Sequence, residues 1–459
     1  MTKQYYPTIG LEIHAELNTA SKMFCACKND PDETRPNANI CPICMGHPGT
    51  LPTANKKAIE SVIKVGLAVD GTIADFTEFD RKNYFYPDIP KGYQISQYKF
   101  PIVSGGTLNN IALTRIHIEE DTGLSKHDRG DFTLVDFNRA GVPLMELVTE
   151  PVIHSAKEAG DFARELQLLL RYLGVSEANM EKGEMRVEAN ISLSDDPKQF
   201  GTKVEVKNLN SFRSVERAIA FELNRMEQLY EAGKQDEIVQ ETRGWDENKQ
   251  VTFSQRSKES AHDYRYFPDP DLPKMKLHSV FDIERMKKEL PQLPWQVRER
   301  LKERIKNSEL IEIFVQDSAR RTLLMSMPVA SSELAANYIV SILDSANLGA
   351  TTPANFGRVI DMIAAGMLSS TAGKELIGIL IKEGGDPDVT AKNRGMLQLS
   401  DAASLTPTIN EVISENEKIV ADYKGGKEAA LQSLIGQVMK KTKGAANPEV
   451  TLKILKEML

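Results

Sequence analysis

Strict alternation of apolar and polar residues marks the first element that the sequence predicts. Between residues 9 and 17 every odd-numbered position is apolar, whereas the even-numbered positions carry glycine, glutamate or histidine. A β-strand separates alternate side chains onto two faces, so we predict a strand whose polar face presents Glu12 beside His14. An adjacent carboxylate and imidazole could hold a metal ion or share a proton, and a solvated outer face explains the pattern equally well.

A second strand is predicted over residues 113–121, where the two faces differ in character. One face carries Ile116, Ile118 and Glu120. The other face is polar and carries Arg115, His117, Glu119 and Asp121. Alternation therefore places the carboxylate of Glu120 beside apolar side chains.

The run of residues 142–148 is apolar at odd and even positions alike, except for Glu146. Such a run predicts a strand that is buried on both faces. Burying an ionised carboxylate without a partner costs several kcal/mol. Glu146 is therefore expected to be protonated, paired with a cation or bound to a metal ion, and a purely structural ion pair is an alternative to a functional role.

Helical periodicity and two further strands complete this part of the chain. Apolar residues recur at helical spacing after Asn55, from Ser155 to Gly174 and from Ser211 to Ala232. Strands are predicted over residues 185–193 and 201–209. The polar face of the first carries Arg186, Glu188 and Asn190, and that of the second carries Lys203, Glu205 and Lys207. These mixed-sign faces are either solvated surface or the floor of a charged pocket.

The chain changes character near residue 293, after which helical patterns dominate and proline motifs at residues 385–387 and 405–407 interrupt them. We therefore predict an α+β fold. Its parts are a mixed α/β domain with an antiparallel-rich sheet over residues 1–292, an all-α helical domain over residues 293–404 and a helical tail domain over residues 405–459.

Composition restricts the class of protein. A chain of 459 residues with 41% hydrophobic and 27% charged residues is typical of a soluble protein with several domains. No apolar run approaches the roughly 20 residues of a membrane helix, and no signal peptide is visible, so we expect no membrane association and a cytoplasmic location. The net charge of −8 argues against a uniformly basic surface for nucleic acid. Residues 421–459 nevertheless carry seven lysines, which either contact an RNA backbone or cap helix ends.

The four cysteines of the chain lie close together. Cys25 and Cys27 form one pair, and Cys41 and Cys44 form a second pair that is followed by Gly46. This spacing fits a knuckle that binds zinc through four thiolates, although the first pair is tighter than usual. Disulfides are disfavoured in a cytosolic chain. We predict a closed, structural Zn²⁺ site, which would not carry the chemistry.

Two segments, residues 80–98 and 255–273, combine aromatic residues with cations and prolines. Among the cations of the first segment are Arg81, Lys82 and Lys91. Aromatic rings interleaved with cations can stack bases and neutralise phosphates. A proline-pinned loop that covers the edge of a core explains the aromatics equally well, whereas the cations favour a ligand.

Five longer motifs occur in the chain in a fixed order. They are Gly-Leu-Glu-Ile-His at residues 10–14, Asp-Arg-Lys-Asn-Tyr-Phe-Tyr-Pro-Asp at 80–88, His-Ile-Glu-Glu-Asp at 117–121, Val-Lys-Asn-Leu-Asn-Ser-Phe at 206–212 and Asp-Tyr-Arg-Tyr-Phe-Pro at 263–268. Together they resemble the motifs of the GatB/GatE family, the B subunits of aspartyl/glutamyl-tRNA amidotransferases. The resemblance covers the whole chain and includes a C-terminal part similar to the YqeY family.

The resemblance implies a specific reaction. Members of the family act as a heterotrimer with GatA and GatC, in which GatA releases ammonia from glutamine. The GatB member uses ATP to phosphorylate the side-chain carboxylate of Asp or Glu mischarged on tRNA(Asn) or tRNA(Gln). Ammonia then arrives through an internal tunnel and displaces phosphate. By the same resemblance, residues 1–292 form the catalytic cradle domain and residues 405–459 a YqeY-like tail.

The resemblance also implies the site residues. The family's catalytic metal site, generally assigned to Mg²⁺, corresponds to Glu12, His14, Glu120 and Glu146. Imidazole would suit Mn²⁺ or Zn²⁺ better than Mg²⁺. Phosphate-binding candidates, chosen for their charge and their place in the motifs, are Arg81, Lys82, Arg186, Lys203 and Lys207. No P-loop motif is present, so the ATP site is expected to be of another kind. The alternative function is a zinc-stabilised RNA-binding scaffold in which the acidic residues are structural.

Overall fold

The computed structural model describes residues 4–127, 130–257, 264–399, 402–442 and 444–459. Residue 263 of the last motif and part of the second aromatic segment lie outside these ranges. Contacts divide the chain into two compact units, residues 1–294 and 295–459. The finer division of the second half near residue 405 stays a prediction.

The first unit contains the strands and five of the described helices. The strands are β1 (Tyr6–Glu16), β2 (Thr72–Ile73), β3 (Phe76–Thr77), β4 (Asp80–Asn83), β5 (Tyr93–Ser96), β6 (Val103–Ser104), β7 (Thr107–Leu108), β8 (Ile111–Glu120), β9 (Leu124–Lys126), β10 (Leu134–Asp136), β11 (Pro143–Thr149), β12 (Met185–Ser194), β13 (Val204–Leu209), β14 (Glu241–Asp246), β15 (Val251–Ser257), β16 (Phe267–Pro268) and β17 (Met275–Lys276). The helices are α1 (Lys56–Ala68), α2 (Ala156–Tyr172), α3 (Phe212–Glu231), α4 (Leu277–Val280) and α5 (Ile283–Lys288).

Within the described residues the second unit is built from helices. They are α6 (Pro294–Lys302), α7 (Ser308–Gln316), α8 (Ser318–Met325), α9 (Ser332–Ile342), α10 (Pro353–Ala364), α11 (Ser370–Glu383), α12 (Pro387–Asn393), α13 (Ala402–Glu415), α14 (Glu417–Lys424), α15 (Ala429–Lys441) and α16 (Pro448–Met458). The predicted α+β class, with a helical second half, is confirmed. No described helix combines the length and the hydropathy needed to cross a lipid bilayer.

A large central sheet organises the first unit. Its strand order is β15-β14-β13-β12-β1-β11-β8-β6-β2, with β7 paired to β8. The strands pair in antiparallel fashion except for β13 and β14, which are parallel. The strands predicted from alternation are confirmed as β1, β8, β12 and β13, and the strand predicted from the uniformly apolar run is confirmed as β11. Strand β1 therefore lies in the middle of the sheet, with β11 on one side and β12 on the other.

The two faces of β1 differ as its sequence predicts. Ile9 and Ile13 on the apolar face are completely buried. Helices α1, α2 and α3 carry buried apolar stripes, and α1 and α3 pack on strands of the sheet. Burying such side chains contributes about 1.5–3 kcal/mol each. The opposite, polar face is left for side chains that can act on a ligand.

Local signals fix the helix ends. The hydroxyl of Ser155 accepts a hydrogen bond from the backbone N–H of Glu158 at 3.2 Å, which begins α2 as predicted. The carboxylate of Glu158 reaches back to the N–H of His154 at 2.9 Å, one residue before the usual capping-box partner. Asn55 caps α1 and Ser211 caps α3 in the same way.

One buried position of α3 departs from the apolar pattern. Apolar residues such as Val215 and Ile219 form the buried stripe, and the charged residue Glu222 is completely buried among them. Its carboxylate lies 2.7 Å from Arg225 and 2.9 Å from Arg243 of β14. Two arginines thus compensate the buried charge.

Candidate active site and metal centres

Three neighbouring strands bring polar side chains onto one face of the central sheet. In the pairing of β1 with β11, His14 lies opposite Glu146, and in the pairing of β11 with β8, Glu146 lies opposite His117. Directly opposed residues of an antiparallel pair point to the same face. Glu12 and Glu119 lie two residues from His14 and His117 on their strands, so they share this face. We call these five residues the acidic cluster.

The side chains of the acidic cluster lie close together. Nε2 of His14 lies 3.4 Å from Oε2 of Glu146, 3.5 Å from Oε1 of Glu119 and 4.0 Å from Oε1 of Glu12. Nε2 of His117 lies 3.3 Å from the same Oε2 of Glu146. The potential ligand atoms of Glu12, His14 and Glu146 are within 4.8 Å of one another, as are those of His117, Glu119 and Glu146. Glu146 therefore joins two groups, each of which has donors suited to a divalent cation.

The charges of the acidic cluster depend on one another. Burial would lower the pKa of His14, but Glu146 and Glu119 outweigh it, and the pKa rises to about 9. Burial raises the pKa of Glu12 to about 7, with repulsion from Glu146 adding to the effect. Burial opposes ionisation of Glu146, yet His117 and His14 hold its pKa well below the usual range. Strong mutual perturbation of this kind is typical of functional sites and also of structural ion-pair networks.

The cluster contains an unsatisfied polar atom. His117 is 2% exposed, and its Nδ1 has no hydrogen-bond partner among the described residues. Arg115 approaches Glu146 at 3.3 Å, but its side chain is 34% exposed, so solvent screens this pair. A structural ion pair with Arg115 therefore does not account for the whole group, because three carboxylates and two imidazoles meet here.

Glu120 lies on the opposite face of the sheet, so the structure does not bring it to the acidic cluster. Its carboxylate accepts hydrogen bonds from Nζ of Lys91 at 2.7 Å and from the backbone N–H of Ile95 at 2.9 Å. Successive side chains of a strand point to opposite faces, and this turns Glu119 toward Glu146 and Glu120 away from it. The placement supports Glu119, rather than Glu120, as the glutamate of β8 in the cluster.

Two members of the cluster, His117 and Glu119, were not predicted as site residues. Alternation along β8 had placed both on its polar face, so a signal was present in the sequence. Which residue of β8 lies opposite Glu146 depends on the register between β8 and β11. A single sequence does not give that register.

The predicted phosphate-binding residue Lys82 is attracted to two glutamates of the acidic cluster, Glu119 and Glu146. Burial would lower the pKa of Lys82, but Glu119 is the largest of several opposing influences, and the pKa is raised. Its Nζ lies 5.1 Å from the centre of the Tyr264 ring and 6.0 Å from that of Tyr84. No carboxylate of the described residues lies within 4.0 Å of this Nζ. Lys82 is therefore a half-buried cation beside the cluster.

The other predicted phosphate-binding residues are engaged in ion pairs or lie outside a strand. Arg81 contacts Asp269 at 2.7 Å and Asp271 at 2.9 Å. Arg186 contacts Asp121 at 2.6 Å, and Lys207 contacts Glu188 at 2.6 Å. Lys203 is exposed and precedes the first residue of β13. Arg81, Arg186 and Lys207 could bind phosphate only by exchanging or sharing a partner.

A small sheet beside the cluster carries the aromatic residues of the two proline-rich segments. Its strand order is β16-β4-β5, and it holds Lys82 on β4. Tyr98 and Tyr266 flank this sheet and stack with ring centres 4.5 Å apart and planes 11° apart. Tyr98 is 64% exposed, so a flat ring is available to solvent. The structure thus joins the two segments that the sequence had singled out separately.

The four cysteines meet at a second site, separate from the acidic cluster. Their Sγ atoms lie within 4.8 Å of one another, and no disulfide joins them. Tetrahedral zinc holds sulfur atoms about 3.8 Å apart, so the group fits this ion. Hydrogen bonds from Cys25 and from the backbone N–H of Cys41, together with Lys22, lower the pKa of Cys44 to about 5. The same contact raises the pKa of Cys25, so one thiolate of this pair is favoured, and thiolates are the state that a metal site needs.

Comparisons with known proteins agree with the arrangement of the chain. A family model described as the GatB/GatE catalytic domain matches residues 7–281, and one described as the GatB domain matches residues 330–459. The acidic cluster and the four cysteines fall within the first match.

Full-length relatives extend the comparison. Three of them, each named as the B subunit of an aspartyl/glutamyl-tRNA(Asn/Gln) amidotransferase, come from Caldicellulosiruptor saccharolyticus, Thermodesulfovibrio yellowstonii and Crocosphaera subtropica. They are 42%, 42% and 41% identical to this chain, and each alignment covers 99% of it. The alignments cover 99%, 100% and 98% of the relatives. The chain therefore belongs to the GatB/GatE family of amidotransferase proteins.

Proposed function

We propose that this chain activates and amidates the side-chain carboxylate of Asp or Glu carried by a mischarged tRNA. The γ-phosphoryl group of ATP is transferred to a carboxylate oxygen, which gives ADP and an acyl phosphate. Ammonia then forms the amide bond as phosphate leaves, and the products are Asn-tRNA(Asn) or Gln-tRNA(Gln). Membership of the GatB/GatE family supports the reaction.

The acidic cluster is the observation that carries this proposal. Glu12, His14 and Glu146 would hold a divalent ion, and Glu119 and His117 complete the group around Glu146. Carboxylate oxygens suit Mg²⁺, whereas the imidazoles favour Mn²⁺. When bound, the ion would offset the repulsion between the attacking carboxylate and the anionic γ-phosphate. The rigid strands β1, β8 and β11 fix the direction of each of these side chains.

Lys82 and the aromatic rings supply the remaining parts of a nucleotide site. A half-buried ammonium attracts phosphate oxygens and stabilises the charge on the transferred phosphoryl group. The exposed face of Tyr98, stacked on Tyr266, is a platform for a base. Together they account for ATP binding without a P-loop.

Partners follow from the same assignment. The relatives are named as one subunit of an amidotransferase, and we propose that this chain works with GatA and GatC subunits in the cytoplasm. GatA would provide ammonia from glutamine, because this chain has no amidase role in our assignment. The helical second unit is proposed to contact the tRNA. Lys441 in that unit is paired with Glu411 and Glu415, so it is less available to an RNA backbone than its charge suggests.

Replacing Lys82 with methionine tests the phosphate site. We expect Lys82→Met to lower kcat/KM for ATP by about 10–100-fold, because a charge-assisted contact is worth roughly 1.5–3 kcal/mol. Steady-state kinetics of ATP-dependent amidation by the assembled heterotrimer measure this. Lys203→Met is the matched control, since Lys203 is exposed and its substitution removes the same charge. Equal kinetics of Lys82→Met and wild type would contradict the assignment.

The cysteine group is proposed to bind one structural zinc ion. Metal analysis of the purified chain should find about one zinc per chain in wild type and in His47→Ala, an exposed neighbour of the knuckle. Cys44→Ser should lose most of the metal, because a buried ligand is removed. A zinc content near zero in wild type, with four free thiols, would contradict the proposal.

A further inference from the structure

Lys22 is a buried cation without an adjacent carboxylate. It is 1% exposed and is among the largest fully buried side chains. Its Nζ donates a hydrogen bond to the backbone oxygen of Phe137 at 3.2 Å. No carboxylate of the described residues lies within 4.0 Å of it. Burying an ammonium in this way costs several kcal/mol unless another negative charge is near.

The cysteine group is the neighbouring cluster that could supply a negative charge for Lys22. A Cβ placed on Gly141 would lie 3.5 Å from Cδ of Lys22 and 3.6 Å from Cβ of Cys44, so the two side chains flank this glycine. The backbone N–H of Lys22 donates to the carbonyl of Cys27 at 2.9 Å. Lys22 is thus tied to the knuckle through its backbone, and its side chain and that of Cys44 both lie against Gly141.

Glu120, whose Oε2 would lie 3.9 Å from the same Cβ of Gly141, does not balance the charge of Lys22. It is already paired with Lys91 at 2.7 Å, and Lys91 is itself largely buried. Two lysines and one carboxylate leave an excess positive charge. Zinc bound by four thiolates is a dianion, so it supplies the missing negative charge.

We infer that Lys22 is the buried counter-cation of an anionic zinc–tetrathiolate complex. This inference rests on the zinc site proposed above. Lys22 does not touch the metal; it is a positioning residue that stabilises the thiolate charge through the low-dielectric interior. Gly141, which lies against both Lys22 and Cys44, has a φ of +86°, a conformation that favours glycine.

Substitution of Lys22 tests the inference on the full-length chain. We expect Lys22→Met to weaken zinc binding by about 10–100-fold, measured by competition with a chromophoric chelator, because loss of an outer partner of a metal site has this effect. Lys28→Met is the matched control. Lys28 follows Cys27 but is 69% exposed and paired with Asp30, so its loss should change zinc affinity less than about threefold.

Thermal unfolding with and without zinc separates a charge effect from lost packing. With zinc bound, Lys22→Met should unfold at a lower temperature than wild type. Without zinc, the same substitution should be neutral or stabilising, because an uncompensated buried charge has been removed.

Equal destabilisation in both states, or unchanged zinc affinity, would overturn the role of Lys22. Failure of wild type itself to bind zinc would instead overturn the zinc site. Lys22→Arg, which keeps the charge, should keep more zinc affinity than Lys22→Met if the variants fold.

Discussion

Glu146→Gln is expected to remove ATP-dependent activation of the mischarged amino acid while leaving tRNA binding intact. Glu146 is shared by both groups of the acidic cluster, so its charge supports every proposed metal ligand around it. Removing one such electrostatic group lowers catalytic rates by about a hundredfold or more. Transfer of labelled phosphate from ATP, with Asp-tRNA(Asn) or Glu-tRNA(Gln) as acceptor, measures the loss. Filter binding measures the affinity for tRNA.

Glu150→Gln is the matched control for this experiment. Glu150 lies just beyond β11, and its carboxylate accepts a solvent-exposed hydrogen bond from the hydroxyl of Thr114. The same change of charge should therefore leave activation within about twofold of wild type. A folded Glu146→Gln protein that consumes ATP at the normal rate with mischarged tRNA would support the alternative, an RNA-binding scaffold with a structural acidic cluster.

Glu119→Gln and Glu120→Gln are expected to change different properties of the protein, metal affinity and stability respectively, although the residues are neighbours on β8. Glu119 shares the face of the acidic cluster, so its substitution should weaken Mn²⁺ binding by about 10–100-fold. Glu120 compensates the charge of Lys91, and its substitution leaves that lysine unpaired. We expect Glu120→Gln to lower the free energy of unfolding by about 3–5 kcal/mol while sparing Mn²⁺ binding.

Two measurements on each variant distinguish these outcomes. Electron paramagnetic resonance of Mn²⁺ gives the metal affinity, and urea unfolding gives the free energy of unfolding. Each variant is a control for the other, because each is expected to change one of the two measured quantities and not the other. Loss of Mn²⁺ affinity in a folded Glu120→Gln protein, with normal affinity in Glu119→Gln, would restore the assignment implied by the resemblance alone.

Much of the fold could be predicted because local patterns and tertiary packing agree. Alternation predicted β1 and β8, and the uniformly apolar run around Glu146 predicted a buried strand. Capping residues such as Ser155 predicted helix starts within a residue of those observed. Each of these patterns involves residues only a few positions apart, so a single sequence is enough to detect it.

The site was less predictable because it depends on contacts between distant segments. The register of β8 against β11 decides that Glu119 meets Glu146, and a motif containing two successive glutamates does not reveal which one does. Positive charge alone did not separate Lys82 from Arg81. The partners Asp269 and Asp271, which engage Arg81, lie far along the chain. Burial of Lys22 beside the cysteines likewise emerges only in three dimensions.

The position of a bound divalent ion tests the central claim most directly. Anomalous diffraction from crystals grown with Mn²⁺ and a non-hydrolysable ATP analogue would locate the ion. We predict a manganese peak within about 2.0–2.3 Å of ligand atoms from Glu146 and at least two of Glu12, His14, Glu119 and His117. Phosphate oxygens of the analogue should lie on the same face of the sheet, within reach of Lys82. A peak on the face of Glu120 and Lys91, with none at the acidic cluster, would contradict the account.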